Sequence, residues 1–342
     1  MAVKSLAVKY RPQTFEDVTE QGAVITILKN QLTTKTVKNV YLFTGGAGTG
    51  KTTLARIFAR EINGGHGNPI EVDAASHNSV DDVRDIIQQA GKQALDSEYK
   101  IFILDEVHML SQGAWNAMLK LIEEPPAKSI FIMCTTDPQR IPKTILSRVQ
   151  RYDFQRISQQ GIIHRLQFIL AQENILVDQS NIDAVEYIAK LAEGGMRDAI
   201  TMLDKCLAYS ETLSLDNVVS VLGVADYNEM FGLTDAILDR DVNAVISIVN
   251  KVHMTGRDIK QFVKSYTDFV LDVCKYGLVK SFDYVKIPIS YKERLNGYNE
   301  DDTGRCVRLL DTLVKLNAEI KWNTSPKALV ESIFVLECVE NG

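Results

Sequence analysis

The chain has five cysteines in 342 residues, and no two of them stand as a C-x-x-C pair. Cys134, Cys206, Cys274, Cys306 and Cys338 are scattered, which argues against a disulfide framework or a cysteine zinc site and for reduced thiols in a cytosol. No apolar run approaches the ~18 residues of a membrane helix, and the opening MAVKSLAVKYRP has no hydrophobic signal core. The expectation is a cytoplasmic protein with no membrane partner. An excess of positive charge is also missing. The formal net charge is −6, so a nucleic acid would have to meet a local basic surface. There is no internal repeat and no low-complexity tract. The chain is 45% apolar and 24% charged, ordinary values for a protein with real cores, and its length suggests two or three domains.

Up to about residue 155, strands and helices alternate. Buried strands are expected at 41–44, 70–72, 101–104 and 130–135, with helices such as 80–94 and 112–122 between them, a pattern that implies a parallel sheet flanked by helices. INGGHGNP, at 62–69, reads as a flexible loop. Beyond Phe154 the pattern turns helical. SQQGIIHRLQFILAQEN is one amphipathic helix, SNIDAVEYIAKLAEGG a second with a serine or asparagine cap, and MRDAITMLDKCLAYS a third. The short capped segment SLDNVVSVLG closes this group near Gly223, and from Asp226 onward further helices follow, including NAVISIVNKVH, DIKQFVKSYTDFVLDVCKYGL and RCVRLLDTLVKLNAEIKW. The plan is α/β with a parallel sheet, then a small helical domain and a larger helical one, with boundaries at 1–155, 156–222 and 223–342.

YLFTGGAGTGKTTLARIFARE joins a strand, a glycine-rich corner and a helix, and fits G-x-x-x-x-G-K-[ST] with Gly45, Gly50, Lys51 and Thr52 on the fixed positions. Glycines allow the backbone to wrap an anion with its N–H groups pointing inward, and the helix that follows adds its positive dipole end. The run Gly45, Gly46, Ala47, Gly48, Thr49, Gly50, Lys51, Thr52 and Thr53 is thus expected to hold a nucleoside triphosphate. Lys51 would reach the β- and γ-phosphates and Thr52 would ligate Mg²⁺. Lys51 is expected on an exposed loop, outside the core.

KIFILDEVHML ends an apolar strand in Asp105 and Glu106, at the end of the sheet where α/β proteins bind ligands. Asp105 would hold Mg²⁺ through water, and Glu106 would polarise the attacking water. IFIMCTTDP ends in Thr135 and Thr136, which either bond the γ-phosphate or lytic water or simply cap the strand. Arg148, in LSRVQRYDF, is a surface arginine unless context makes it more. Arg197 follows a Gly-Gly break and could pair locally with Asp198 or Glu193.

LAVKYRPQTFEDV, GGAGTGKT, ILDEVHMLS, LIEEPP, TTDPQRIPKTILSR and GGMRDAI together resemble the gamma/tau family of bacterial DNA polymerase III clamp-loader subunits, which are AAA+ ATPases. The resemblance is strong over about 1–222. It implies an AAA+ domain, a helical lid and an all-α collar through which such subunits form a pentamer. It implies ATP and Mg²⁺ as cofactors, and other loader subunits, a sliding clamp and primer–template DNA as partners. It further implies that Tyr10, Arg11, Pro12 and Val18 line the adenine side, that Lys51, Asp105 and Glu106 are catalytic, and that Thr136 is the strand sensor with Thr135 as alternate. By the same resemblance Arg148 matches the arginine finger that acts on a neighbour's ATP, and Arg197 the sensor that reports to the lid.

The chain departs from the family in three ways. The family carries a four-cysteine zinc module after the P-loop helix, whereas REINGGHGNPIEVDAASH has no cysteine, so no zinc is expected; a bound zinc would imply ligation around His66 and His77. Val149 stands where the family has cysteine. The long tau extension is not seen, which suggests a divergent bacterium, a phage or a shortened form acting in the bacterial cytosol. The expected function is the ATP-hydrolysing motor subunit of a clamp loader. The alternatives are an ATP-dependent helicase or branch-migration motor, and a scaffold that binds ATP only structurally.

Overall fold

The computed structural model describes residues 4–92, 94, 96–175, 178–210, 212–222 and 227–340. The chain divides into two compact units, Met1–Asp204 and Lys205–Gly342.

In the first unit, α1 (Leu6–Lys9) and α2 (Gly22–Thr33) precede β1 (Val40–Thr44) and α3 (Lys51–Ile62). Then come β2 (Ile70–Asp73), α4 (Val80–Ala90), β3 (Lys100–Asp105), α5 (Gln112–Glu123), β4 (Ser129–Thr135), α6 (Lys143–Leu146) and β5 (Gln150–Asp153). The five strands are parallel in the order β2-β3-β4-β1-β5. Side chains alternate across the sheet. Leu42, Phe102, Leu104, Phe131 and Met133 face one core with Val83 and Ile86 of α4 and Trp115 and Met118 of α5. Tyr41, Phe43, Ile101, Ile103, Ile132 and Cys134 face another with Leu28 of α2 and Leu54 and Phe58 of α3. Both faces are therefore covered, as an all-parallel sheet requires.

Among these elements, α4 and β5 depart from expectation. α4 opens on a Ser79–Asp82 capping box and ends at Ala90 with Gly91 as its C-cap, short of residue 94; Gln93, within the expected helix, lies outside the described residues. β5 was not expected. Only Tyr152 of its four residues is buried, so this edge strand lacks the apolar run by which the others were read.

α7 (Gln159–Gln172), α8 (Gln179–Leu191) and α9 (Met196–Tyr209) follow. The cap of α8 is Asp178, whose Oδ1 accepts from Asn181 N–H at 3.0 Å, and neither the serine nor the asparagine expected. The division between the units falls within α9. The second unit continues with α10 (Leu215–Leu222), α11 (Tyr227–Leu238), α12 (Val242–Met254), α13 (Ile259–Val279), α14 (Lys292–Asn296), α15 (Glu300–Glu319) and α16 (Pro326–Glu340). Its interior is aromatic: Phe231, Tyr266 and Phe334 are fully buried and Phe269 nearly so. The expected boundary after residue 222 falls where 223–226 lie outside the described residues.

Candidate active site

β1 delivers the glycine-rich corner. At Gly45 a Cβ would stand 2.5 Å from the Phe154 carbonyl oxygen, so only glycine lets the backbone pass there. The corner turns through Gly46 and Ala47 to Gly48, and the Thr49 hydroxyl braces it by donating to the Gly46 carbonyl at 2.9 Å. Lys51 opens α3, and its Nζ donates to the carbonyls of Gly45 and Gly46 at 2.9 and 2.8 Å. Contrary to expectation it is buried, with only 6% of its surface exposed, because the corner folds back over the first turn of α3. Burial lowers its pKa, while Glu106, Cys134 and Asp105 pull the other way. Thr52 Oγ1 donates to Asp105 Oδ2 at 2.8 Å, and Thr53 is half-buried in the same turn.

Because β3, β4 and β1 are adjacent and parallel, their carboxyl ends place Asp105, Thr135 and the corner along one edge. The chain leaves β3 through Glu106 in left-handed backbone (φ 48) and enters a single 3₁₀ turn, Val107–Met109. Glu106 Oε2 accepts from the backbone N–H of Thr136 at 3.2 Å and from its hydroxyl at 2.8 Å. His108 Nδ1 lies 3.2 Å from the same oxygen and 3.2 Å from Thr135 Oγ1. Thr135 Oγ1 also accepts from Asp137 N–H at 3.1 Å, so of the two threonines Thr136 is the one bonded to the carboxylate. His108 was not singled out from the sequence, although it stands two places beyond Glu106.

The arm before α2 is tied to the corner by Gln21, which was also missed. Buried and in left-handed backbone, its amide donates to the carbonyls of Thr49 at 3.4 Å and Gln155 at 2.8 Å. Its neighbour Glu20 accepts from Ser158 N–H and hydroxyl at the start of α7. Val18 packs against the core that includes Leu54 and Phe58. Tyr10 sits with α7: its hydroxyl donates to Glu173 at 2.6 Å, its ring meets Phe168 edge-on, and its carbonyl accepts from Arg165. Arg11 and Pro12 are half-buried in the same arm. A cleft of about 420 Å³ opens between Thr19 and Glu20 of this arm and Ser158, His164, Arg165 and Phe168.

The Gly-Gly break before α9 meets the corner itself. The Gly48 carbonyl accepts from Met196 N–H at 3.0 Å, and a Cβ on Gly48, whose φ is +69°, would stand 3.0 Å from Gly195 Cα. The break thus brings Arg197 to the glycine-rich corner. Its side chain is exposed, while Glu193 lies 3.9 Å from Arg156. Arg148 is exposed just beyond α6, its Nε donating to Glu123 Oε1 at 2.7 Å and a terminal nitrogen to the Thr144 carbonyl at 2.9 Å. It joins none of the groups around Lys51.

Thr52 Oγ1 and Asp105 Oδ2 offer two hard oxygens beside the corner, a donor set that fits Mg²⁺. Among the described residues no three His, Cys, Asp or Glu side chains cluster as a metal site. His66 is exposed in its loop, and the His77 ring nitrogen lies 3.3 Å from the Asp73 carbonyl. Among the described residues no helix is long and apolar enough to cross a membrane.

Residues 68–158 match a family described as DNA polymerase III, delta subunit; 161–212 match the ATPase lid domain of DNA polymerase III clamp loader subunits; 213–336 match domain III of DNA polymerase III subunits gamma and tau. DNA polymerase III subunit tau of Bacillus subtilis is 34% identical over 99% of this chain and 64% of its own length. Subunit tau of Escherichia coli is 34% identical over 75% of this chain and 43% of its own, so the chain spans only part of these relatives. Subunit gamma of Buchnera aphidicola from Acyrthosiphon pisum is 30% identical over 97% of both chains. Among solved structures, the Thermotoga maritima RuvB Holliday junction branch migration motor covers 83% of this chain at 17% identity with a TM-score of 0.53, a likeness of fold alone. With a gamma subunit matched along nearly its whole length and both lid and domain III families present, the chain belongs to the DNA polymerase III gamma/tau clamp-loader subunits.

Proposed function

We propose that the chain is the ATP-hydrolysing motor subunit of a sliding-clamp loader, opening the clamp and placing it on primer–template DNA during replication. The observation that carries this reading is the convergence at one sheet edge of buried Lys51, the Thr52–Asp105 pair and the Glu106–Thr136 pair. The corner amides and Lys51 bind the phosphates, and Tyr10, Arg11, Pro12 and Val18 border the base. Thr52 and Asp105 would hold Mg²⁺, which when bound neutralises phosphate charge. Glu106 polarises the water and Thr136 positions Glu106. Arg197, beside the corner, reports the nucleotide to the lid. The domains are read as ATPase 1–155, lid 156–222 and collar 223–342, with the collar joining loader subunits in a pentamer. Action in the bacterial cytosol without zinc belongs to the same proposal.

Arg148 gives the sharpest test. Exposed and away from Lys51 in its own chain, it is offered to the ATP of a neighbouring subunit. An arginine supplied in this way is worth about 10³ to 10⁵ in rate. Lys51→Ala, which removes the phosphate-binding cation, and Arg148→Ala should each lose turnover. A mixture of the two should regain part of it, because one of its interfaces combines an intact corner with an intact arginine. Absence of recovery in mixtures shown by native mass measurement to co-assemble would sink the shared site.

A further inference from the structure

Both hydrogen bonds to the Glu106 carboxylate fall on one of its two oxygens. Oε2 receives the N–H and hydroxyl of Thr136 and faces His108 Nδ1 at 3.2 Å, whereas no donor among the described residues meets Oε1. The ring thus stands against the bonded oxygen and leaves Oε1 clear. His108 is held for this task. The left-handed turn at Glu106 and the 3₁₀ turn after it fold the ring back toward the end of β4, where Thr135 Oγ1 stands 3.2 Å from Nδ1. The imidazole side chain is only 13% exposed, while the carboxylate it faces remains 35% open.

We propose that His108 is a positioning residue for hydrolysis: anchored on Thr135 Oγ1 and set against Glu106 Oε2, its ring works with Thr136 to fix the carboxylate so that Oε1 is presented to the attacking water. Thr136 alone leaves the carboxylate free to swing about the Oε2 bond. The histidine supplies a second direction of restraint, from β3's own exit turn. This inference rests on the ATPase reading above.

The test uses the full chain with its loader partners and compares ATP turnover with fluorescent-nucleotide affinity. His108→Ala should lower turnover about tenfold, a fraction of what a general base supplies. Affinity should stay within about twofold of wild type, because the ring touches Glu106 and not the phosphate corner. His108→Asn, whose amide nitrogen stands where Nδ1 stands, should recover most of the rate. His108→Gln, whose amide reaches toward the Nε2 position, should not. In a Glu106→Gln background His108→Ala should remove nothing further. Unchanged or raised turnover in His108→Ala, equal losses in the Asn and Gln variants, or a further loss in the Glu106→Gln background would each overturn the proposal. A wild-type chain that binds no ATP would instead overturn the ATPase reading beneath it.

Discussion

At the carboxyl edge of the sheet and in the helical unit, polar groups are buried to different ends. Along the sheet edge Lys51, Thr135 and Thr49 are almost wholly enclosed, yet they stand in one line with Asp105 and Glu106, whose carboxylates stay partly open. In the helical unit the buried side chains of Thr234, Glu229 and Asp272 are each closed off by a partner of their own. Thr234 meets the Tyr266 hydroxyl at 2.9 Å, Glu229 meets Arg257 at 2.7 Å and Lys251 at 3.3 Å, and Asp272 accepts from Lys286 N–H. Buried polar groups carry a desolvation penalty wherever they stand, so their convergence separates a site from a well-satisfied core. At the sheet edge the backbone is also strained or tightly approached, at Gly45, Gly48 and Glu106.

The largest break in that comparison should come from Glu106→Gln. The amide keeps the shape and can still bond Thr136, but cannot polarise water as a carboxylate does. Turnover should fall on the order of 10³ to 10⁴, the upper range for a lost general base. ATP affinity should persist, since Glu106 bonds Thr136 and lies against His108 rather than the glycine-rich corner. Retained turnover would show that another group positions the water, and the convergence at the sheet edge would lose its meaning.

An equally large change of packing in the helical unit should leave the site untouched. Phe334 of α16 is fully buried, edge-on to Tyr266 at 5.8 Å. Phe334→Ala should destabilise that unit by about 3–4 kcal/mol through lost contacts and a residual cavity. Amide exchange in α13 reads this unit, and fluorescence of buried Trp115 reads the other. The first should move and the second, with nucleotide affinity, should not. If Trp115 unfolding shifts by the same amount, the two units are one cooperative body and the contrast drawn above fails.

The same contrast explains what could be read from the sequence. A fixed-spacing motif announces a strand, a corner and a helix together, so β1, the corner and α3 were legible, as were the carboxylates ending β3. Periodicity carried most of the remaining helices. β5 was not legible because an edge strand with one buried residue has no apolar run. Lys51's burial was not legible either, because it depends on carbonyls of Gly45 and Gly46 folding over it. Gln21, Glu20 and His108 escaped for a shared reason. Each acts through a left-handed or 3₁₀ turn that brings it to a distant partner, and no local pattern of residue types marks such a partner.

The smallest expected effect is also the one that tests whether the helical unit's polar groups are as closed as they look. Asp272 is 5% exposed, and burial raises its pKa above the ordinary aspartate value despite the Lys286 N–H and the Lys275 ammonium. The folded chain therefore holds this proton more tightly than the unfolded chain. Its contribution to stability is complete below the unfolded aspartate value, near ~4, and is lost as pH rises through the folded one. Asp272→Asn cannot titrate, and its amide oxygen can still accept from Lys286 N–H. The variant should differ from wild type by less than about 1 kcal/mol at neutral pH, as for one exchanged hydrogen bond. The sign of the trend is the informative part. Measured by exchange in α13, wild-type stability relative to the variant should decline as pH rises from acid toward neutral. A wild type that instead gains on the variant over that range would mean that the two lysines outweigh burial. Asp272 would then be a working ion pair, as Glu229 is with Arg257 and Lys251 in the same unit.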